Sequence, residues 1–334
     1  MRAKRNIIPV FVPHLGCPNN CVFCNQRKIS GSLFPASAET VRLAVLEGVE
    51  KIPDKSNIQL AFYGGSFTAI PVQEQNELLD AALPFLNEGI ISSVRLSTRP
   101  DAIDEITLIR LRERGVKTIE LGAQSMCDEV LEASGRGHTA LETAKAANLI
   151  KKFGFELILQ MMTGLPGDSK QRSIETARKI IALKPDGVRI YPTVIIENTP
   201  LYDMWQAGLY PEHTVQEAVE TCAEILPMFE EAGIPVIRLG LNPTEELTGG
   251  AAAGGAYHPA FGELVKSRIF LGRARALLES GVHGENVILK VNKADVSAMT
   301  GQKRANIIAL CREFSLKSLK VSAADVQKNS LFLS

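Results

Sequence analysis

Six short apolar runs alternate with longer segments of helical period through the first two-thirds of the chain, and this alternation limits the fold more than any other feature. The runs are IIPVFVP, IQLAFYGG, SVRLSTRP, TIELGAQ, FELILQMMTG and GVRIYPTV. Between them, Ser37 to Lys51 reads as a helix capped by Ser37, and PVQEQNELLDAALPFL as one opened by Pro71. Asp104 to Arg114, Leu141 to Phe153 and Ser169 to Leu183 supply three more. A strand that must return through a helix before the next strand pairs in parallel, so the repeat predicts βα units around a parallel sheet. Helical stretches around Leu201 to Ala207 and Val215 to Ala232 then precede PVIRLGL, a candidate further strand. Residues of chemical interest follow all six strands and do not gather at one switch point. The expected fold is therefore α/β, a partial (β/α)6 barrel with its site at the carboxyl ends of the strands, in preference to a doubly wound open sheet.

A chain of 334 residues exceeds what one core usually sustains, which predicts a large domain and a small appendage. The boundaries read as 1–241 for the barrel, 242–282 for a Gly- and Ala-rich connector or lid, and 283–334 for a basic C-terminal domain. From Lys266 to Lys320 there are eleven Lys and Arg against four Asp and Glu, so this segment carries +7 while the whole chain is formally neutral. A basic appendage on an acidic body suits an anionic partner such as nucleic acid. Within it, VILKVN, ADVSAMT, GQKR, ANIIALCREFS and LKSLKVS read as strand, helix, tight loop, helix and strand. That order is the layout of a KH module, which clamps nucleotide backbones with a GXXG loop. Here Arg304 stands where the second glycine would be, which costs close backbone approach and adds a charge for phosphates.

Cys17, Cys21 and Cys24 form C-x3-C-x2-C directly after the first strand. A zinc site wants four ligands and a disulfide leaves one thiol over, whereas three thiolates hold a cubane iron–sulfur cluster with one iron open. The other cysteines, Cys127, Cys222 and Cys311, are scattered and read as buried apolar residues. No run is long enough to cross a bilayer and the start lacks a signal-peptide core, so a cytoplasmic protein without a membrane partner is expected.

The cysteine motif, together with FYGGSFTAI, STRPDAID, IELGAQSMCDEVLEASGRGHT, MMTGLPGD and IYPTVIIENTPLYDMWQAG, resembles the radical S-adenosylmethionine superfamily, and within it the radical core of the Elongator catalytic subunit. The resemblance runs from about Ile7 to Leu241. It implies that Cys17, Cys21 and Cys24 ligate a [4Fe-4S] cluster and that S-adenosylmethionine chelates the open iron. One electron, from a donor such as ferredoxin or flavodoxin, then yields a 5′-deoxyadenosyl radical. It further implies that Gly64 and Gly65 meet the methionine amino group, and that Ser97 and Arg99 contact the carboxylate or the substrate. Gln124 is implied at the ribose, and Gly164, opening GLPGD, beside the adenine. Arg136 and His138 are implied near the mouth of the site, and Tyr191 as a wall of the radical path or a base-stacking ring. A core tyrosine, a satisfied core glutamine and a helix-entry histidine capped by Thr139 are the plain structural alternatives.

The departures are equally specific. The gap between the first two cysteines has the general superfamily length, and neither a further cysteine cluster nor an acetyltransferase domain is recognisable. The resemblance thus implies radical chemistry on RNA, most naturally tRNA, without carrying over the carboxymethyl product. A small, porphyrinogen-like substrate is a second reading, and a non-enzymatic iron–sulfur protein a third.

Overall fold

The computed structural model describes residues 5–12, 21–25, 36–241, 251–281 and 283–334. Cys17 and most of the expected connector, residues 242–250, lie outside the described residues. The chain forms two compact units, Met1–Thr214 with Met228–Tyr257, and Val215–Pro227 with His258–Ser334.

In chain order the elements are β1 (Asn6–Phe11), α1 (Ala38–Lys51), β2 (Ile58–Tyr63), α2 (Val72–Asp80), α3 (Leu83–Asn87), β3 (Ser93–Thr98), α4 (Glu105–Glu113) and β4 (Val116–Gln124). They continue with α5 (Asp128–Ala133), α6 (Ala140–Lys152), β5 (Glu156–Thr163), α7 (Lys170–Ala182), β6 (Gly187–Pro192), β7 (Val194–Ile196), α8 (Pro200–Gln206), α9 (Val215–Glu231), β8 (Val236–Leu239) and β9 (Ala252–Gly255). The C-terminal elements are α10 (Phe261–Ser280), β10 (Asn286–Asn292), α11 (Val296–Thr300), α12 (Ala305–Glu313), β11 (Ser318–Ala324) and β12 (Leu331–Leu333).

The first unit is a seven-stranded parallel sheet in the order β1-β2-β3-β4-β5-β6-β8. The order follows the sequence without reversal, so there is no switch point, and the curled partial barrel prevails over the open sheet. PVIRLGL joins as the seventh strand. Four helices start at the caps their sequence offers. Ser37 and Thr40 form a capping box on α1, Thr139 and Glu142 another on α6, and Asp104 and Ser169 cap α4 and α7. One expected helix divides: PVQEQNELLDAALPFL breaks between Asp80 and Leu83, with Pro84 in the first turn of α3.

Strand parity separates the two faces of the sheet. Ile8, Val10, Leu60, Phe62, Val94, Leu96, Ile119, Leu121, Leu157, Leu159, Val188 and Ile190 are buried. They alternate with inward residues that line a cavity. Helices α1, α6 and α7 pack on β1, β4 and β5, bringing Val41, Val45, Ala146, Ala147, Ile150, Ala177 and Ile180 out of water. Burial of this apolar surface, at roughly 25 cal/mol per Å², is what holds the layers together. Gly48 lets α1 approach closely, since a Cβ there would come 2.7 Å from the Ile8 side chain.

The stretch beyond Leu241 holds more regular structure than its Gly and Ala content predicts. β9 pairs antiparallel with β7, and α10 runs for 20 residues. In the second unit the strand–helix–helix–strand order is present as expected. β10 pairs in parallel with β11, and β12 adds an antiparallel strand on its other side. Phe270, Ala274, Leu278, Val287, Leu289, Val291, Met299, Ile307 and Leu310 form its core. Among the described residues no helix is long and apolar enough to cross a membrane.

Candidate active site

The inward face of the sheet lines a cavity of about 480 Å³. Its wall near the strand ends includes Cys24, Gly64, Gly65, Ser97, Gln124 and Tyr191, six residues drawn from five different strands or the loops that follow them. Of the three cysteines, Cys21 is buried and Cys24 partly so, and the Cys24 amide donates to the Cys21 carbonyl at 3.0 Å. Cys17 lies outside the described residues. Among the described residues no three His, Cys, Asp or Glu side chains gather as a metal site.

Gly64 directly follows β2 with φ +90°, a conformation that favours glycine. Gln124 also has a positive φ, +61°, and sits where the β4–β5 register shifts between Gly122 and Gln124. The bulge re-aims this side chain toward the cavity, and its Oε1 is buried without a hydrogen-bond partner. An orphaned acceptor on the wall, beside a glycine pair and a cysteine, fits a polar ligand with hydroxyl or amine donors.

Arg136, Arg99, Gly164 and His138, expected at or near the site, are not among the residues that line this cavity. The Arg136 guanidinium is buried, donating from Nη1 to Cys21 Sγ at 3.3 Å and from Nη2 to the Gly122 carbonyl at 2.7 Å. Arg99 is 4% exposed and is held by Asp101 and by the Arg136 carbonyl, which accepts from Nη2 at 2.8 Å. It braces the segment that carries Arg136 and is not among the cavity residues. Gly164 has φ +75°, its amide donates to Asp168 and its carbonyl accepts from the Tyr210 hydroxyl, so GLPGD is a packed turn. Burial raises the Asp168 carboxyl, against hydrogen bonds from Ser173, Gly164 and Ser169. His138 is buried in the segment just before α6, and burial followed by the Arg136 charge lowers its pKa to about 4. The scattered cysteines also differ from expectation. Cys222 is buried, but Cys127 and Cys311 are only partly so, and the Cys127 thiol donates to Glu129 at 2.8 Å.

The cavity holds a second group of residues that the reading of motifs passed over. Glu120 is fully buried, and its Oε1 accepts from the Tyr63 hydroxyl at 2.7 Å and from Arg189 Nη2 at 2.9 Å. Its Oε2 accepts from Gln160 Nε2 at 3.0 Å and lies 2.8 Å from Arg189 Nε. Burial, then Glu120, raises the Tyr63 phenol well above its ordinary range, and burial likewise raises Tyr191. Burial works against the Arg189 charge, but Glu120, Tyr191 and Tyr63 outweigh it and the group stays cationic. The signal was present in the sequence, as charged residues inside the apolar runs SVRLSTRP, TIELGAQ, GVRIYPTV and PVIRLGL.

The Radical SAM superfamily model matches residues 11–180, about half of the chain. The chain belongs to the radical SAM superfamily. The Radical_SAM C-terminal domain model matches residues 185–270 of this radical SAM protein. It is similar to the tRNA uridine(34) acetyltransferase of Methanocaldococcus jannaschii, 32% identical over 254 residues, covering 64% of this chain and 47% of that protein. It is also similar to human Elongator complex protein 3, 29% identical over 258 residues, covering 65% of this chain and 47% of the relative. The chain thus spans about half the length of these relatives. Among solved structures, archaeal Methanocaldococcus infernus Elp3 with an N-terminal deletion superposes with a TM-score of 0.63 at 24% identity, covering 82% of this chain and 63% of that one. Coproporphyrinogen III oxidase from Escherichia coli superposes at 0.50 with 18% identity, covering 69% of this chain and 53% of that one. These two likenesses show the fold: an α/β partial barrel with a C-terminal domain.

Proposed function

We propose that this radical SAM enzyme modifies RNA, with tRNA as its substrate, using a [4Fe-4S] cluster on Cys17, Cys21 and Cys24 and S-adenosylmethionine in the cavity. The observation that carries the reading is the convergence of Cys24, Gly64, Gly65, Ser97 and the orphaned Gln124 Oε1 on one wall. When bound, the cofactors supply a 5′-deoxyadenosyl radical for hydrogen abstraction. The protein's own part is to bind, orient and exclude water. Gly64 and Gly65 offer backbone carbonyls to an amine without a Cβ in the way. Ser97 takes the S-adenosylmethionine carboxylate or the substrate, Gln124 a ribose hydroxyl, and Tyr191 walls the path to the substrate. Arg136 holds the Cys21 sulfur, and Arg99 is a positioning residue behind it. Gly164 keeps the turn after β5 in shape.

The RNA part rests on the Methanocaldococcus jannaschii relative, whose name places it on tRNA, and on the basic C-terminal segment. In that unit Lys303 and Arg304 are exposed at the tip between α11 and α12. A ferredoxin or flavodoxin would serve as electron donor, and a cytoplasmic setting follows from a tRNA substrate. The domains are proposed as a barrel ending near Leu241, a connector, and a C-terminal RNA-binding domain.

Anaerobic reconstitution followed by an assay for 5′-deoxyadenosine tests the chemistry, with Cys21→Ala expected to lose cluster absorbance and product together. No product from a reduced, loaded protein would leave an iron–sulfur protein without this activity. Comparing modified nucleosides in bulk tRNA with and without the protein tests the substrate, and identical profiles would overturn the tRNA reading.

A further inference from the structure

The second unit turns one face of its sheet toward its helices and leaves the other uncovered. Along β10 the side chains alternate, with Val287, Leu289 and Val291 in the core and Ile288 and Lys290 exposed between them. Leu319 and Val321 on β11 and Leu331 and Leu333 on β12 pack on the same core, so Lys320, Ser322 and Phe332 point the opposite way. Phe332 is 50% exposed and Ile288 41%. The two are diagonal neighbours across β10 and β12, a small apolar patch that adds nothing to the core behind it.

Register sets two cations beside that patch. Lys290 stands directly opposite Phe332 across the antiparallel pair and opposite Ser322 across the parallel pair. Lys320 stands opposite Ile288, two residues and so about 7 Å along the face. Both lysines are exposed, and neither meets a carboxylate among the described residues. Other cations of this unit do, since Lys317 pairs with Glu285 and Arg275 with Glu313. No Asp or Glu occupies an outward position on β10, β11 or β12. The open face is therefore positive, with one ring at its edge.

Three occupants compete for a face of this kind, and its charge and its ring distinguish them. A second copy related by two-fold symmetry brings the same positive surface against itself, with no carboxylate to balance it. A nucleic-acid duplex hides the flat sides of its bases in the stack and offers the ring only backbone. An unpaired nucleotide strand offers a base for Phe332 and phosphates for Lys290 and Lys320, the combination by which open sheets hold single strands.

We propose that the open face of this three-stranded sheet binds an unpaired stretch of RNA, with Phe332 stacking on a base, Lys290 and Lys320 holding the phosphates next to it, and Ile288 extending the apolar floor. That the strand is RNA rests on the tRNA reading above, whereas the preference for unpaired over paired nucleotides rests on the face alone. The surface is separate from the GQKR turn, which joins α11 to α12 on the covered side of the sheet.

The test follows the fluorescence anisotropy of an end-labelled uridine octamer titrated with the full-length, cluster-loaded protein, as it stands and in a Lys303→Ala, Arg304→Ala background that silences the turn. Saturable binding is expected in both, and the same length of RNA in a blunt duplex should bind more weakly. Phe332→Ala should weaken octamer binding about tenfold; Phe332→Tyr should keep it and Phe332→Leu should not, because a base stacks on a ring. Lys290→Gln with Lys320→Gln should lower the slope of log affinity against log salt by about 1.4, from 0.7 per phosphate on a single strand. These side chains are exposed, so the variants should keep the thermal midpoint of the unaltered protein. No octamer binding, or binding indifferent to both the Phe332 and the lysine changes, overturns the proposal. Polyglutamate binding that falls with the lysine changes, while Phe332→Ala leaves the octamer unaffected, overturns it in favour of an acidic protein partner. None of these outcomes touches the tRNA reading, which fails separately if bulk tRNA carries the same nucleosides with and without the protein.

Discussion

Arg136 and Cys21, 115 residues apart in sequence, meet through a hydrogen bond of 3.3 Å from guanidinium to sulfur. A donor on a cysteine sulfur stabilises the electron-rich state of any cluster it ligates, so it shifts the potential upward. Arg136→Gln should therefore give a cluster that reduces at a lower potential than the unaltered one. A redox titration followed by electron paramagnetic resonance measures this directly, and an unchanged potential would show the bond to be structural only.

Gly164 is packed as tightly as it is strained. Its φ is +75°, and a Cβ would come 2.1 Å from the His213 ring. Gly164→Ala should destabilise the first unit by about 1–3 kcal/mol, and more if the ring cannot move. Thermal or urea denaturation reads the loss.

His138 makes stability pH-dependent in a stated direction. Its pKa falls from 6.5 to about 4 through burial and the nearby Arg136. Between those values the unfolded chain binds the proton and the folded chain does not, so stability is complete above 6.5 and declines as pH falls toward 4. The loss approaches about 3 kcal/mol, given 1.36 kcal/mol per pKa unit. Denaturant melts of His138→Gln across this range should show a flatter profile than the unaltered protein.

In the second unit, Asn306 uses its side-chain amide to tie four acceptors, the Ser267 carbonyl and hydroxyl and the carbonyls of Ala298 and Met299, at 2.9 to 3.2 Å. Asn306→Ala leaves those groups unmet next to Gly301, whose φ of +75° opens the GQKR turn. It should cost about 1–3 kcal/mol in denaturation.

Lys303 and Arg304 both have positive φ and exposed side chains on that turn. If they meet phosphates, replacing both with Ala should weaken tRNA binding and lower the slope of log affinity against log salt by about 1 to 2. Filter binding at several salt concentrations measures it, and an unchanged slope removes these residues from the interface.

Much of the fold was readable because local signals agreed. Caps at Ser37, Asp104, Thr139 and Ser169 fall where the sequence predicts them. The short α5 was missed because its six residues carry too little periodicity, and β9 because Ala and Gly disguise a strand. The rim of the site was legible through Cys24, Gly64, Gly65, Ser97, Gln124 and Tyr191. The floor was not, since a single Arg or Glu inside an apolar run names no partner.

The sequence by itself determined the parallel α/β architecture, because hydrophobic period and capping act over a few residues and need no tertiary knowledge. It also supplied the cysteine spacing that marks the superfamily. Only the tertiary structure decided which side chains share a charge. Register between β3, β4 and β6 sets Arg95 and Arg189 against Glu120, although those two arginines stand 94 positions apart in numbering, 95 to 189. Likewise, only the tertiary structure places Arg136 on the Cys21 sulfur, with Arg99 holding the Arg136 carbonyl from behind. Electrostatic pairing depends on distance through space, and strand register, which no local pattern encodes, fixes that distance.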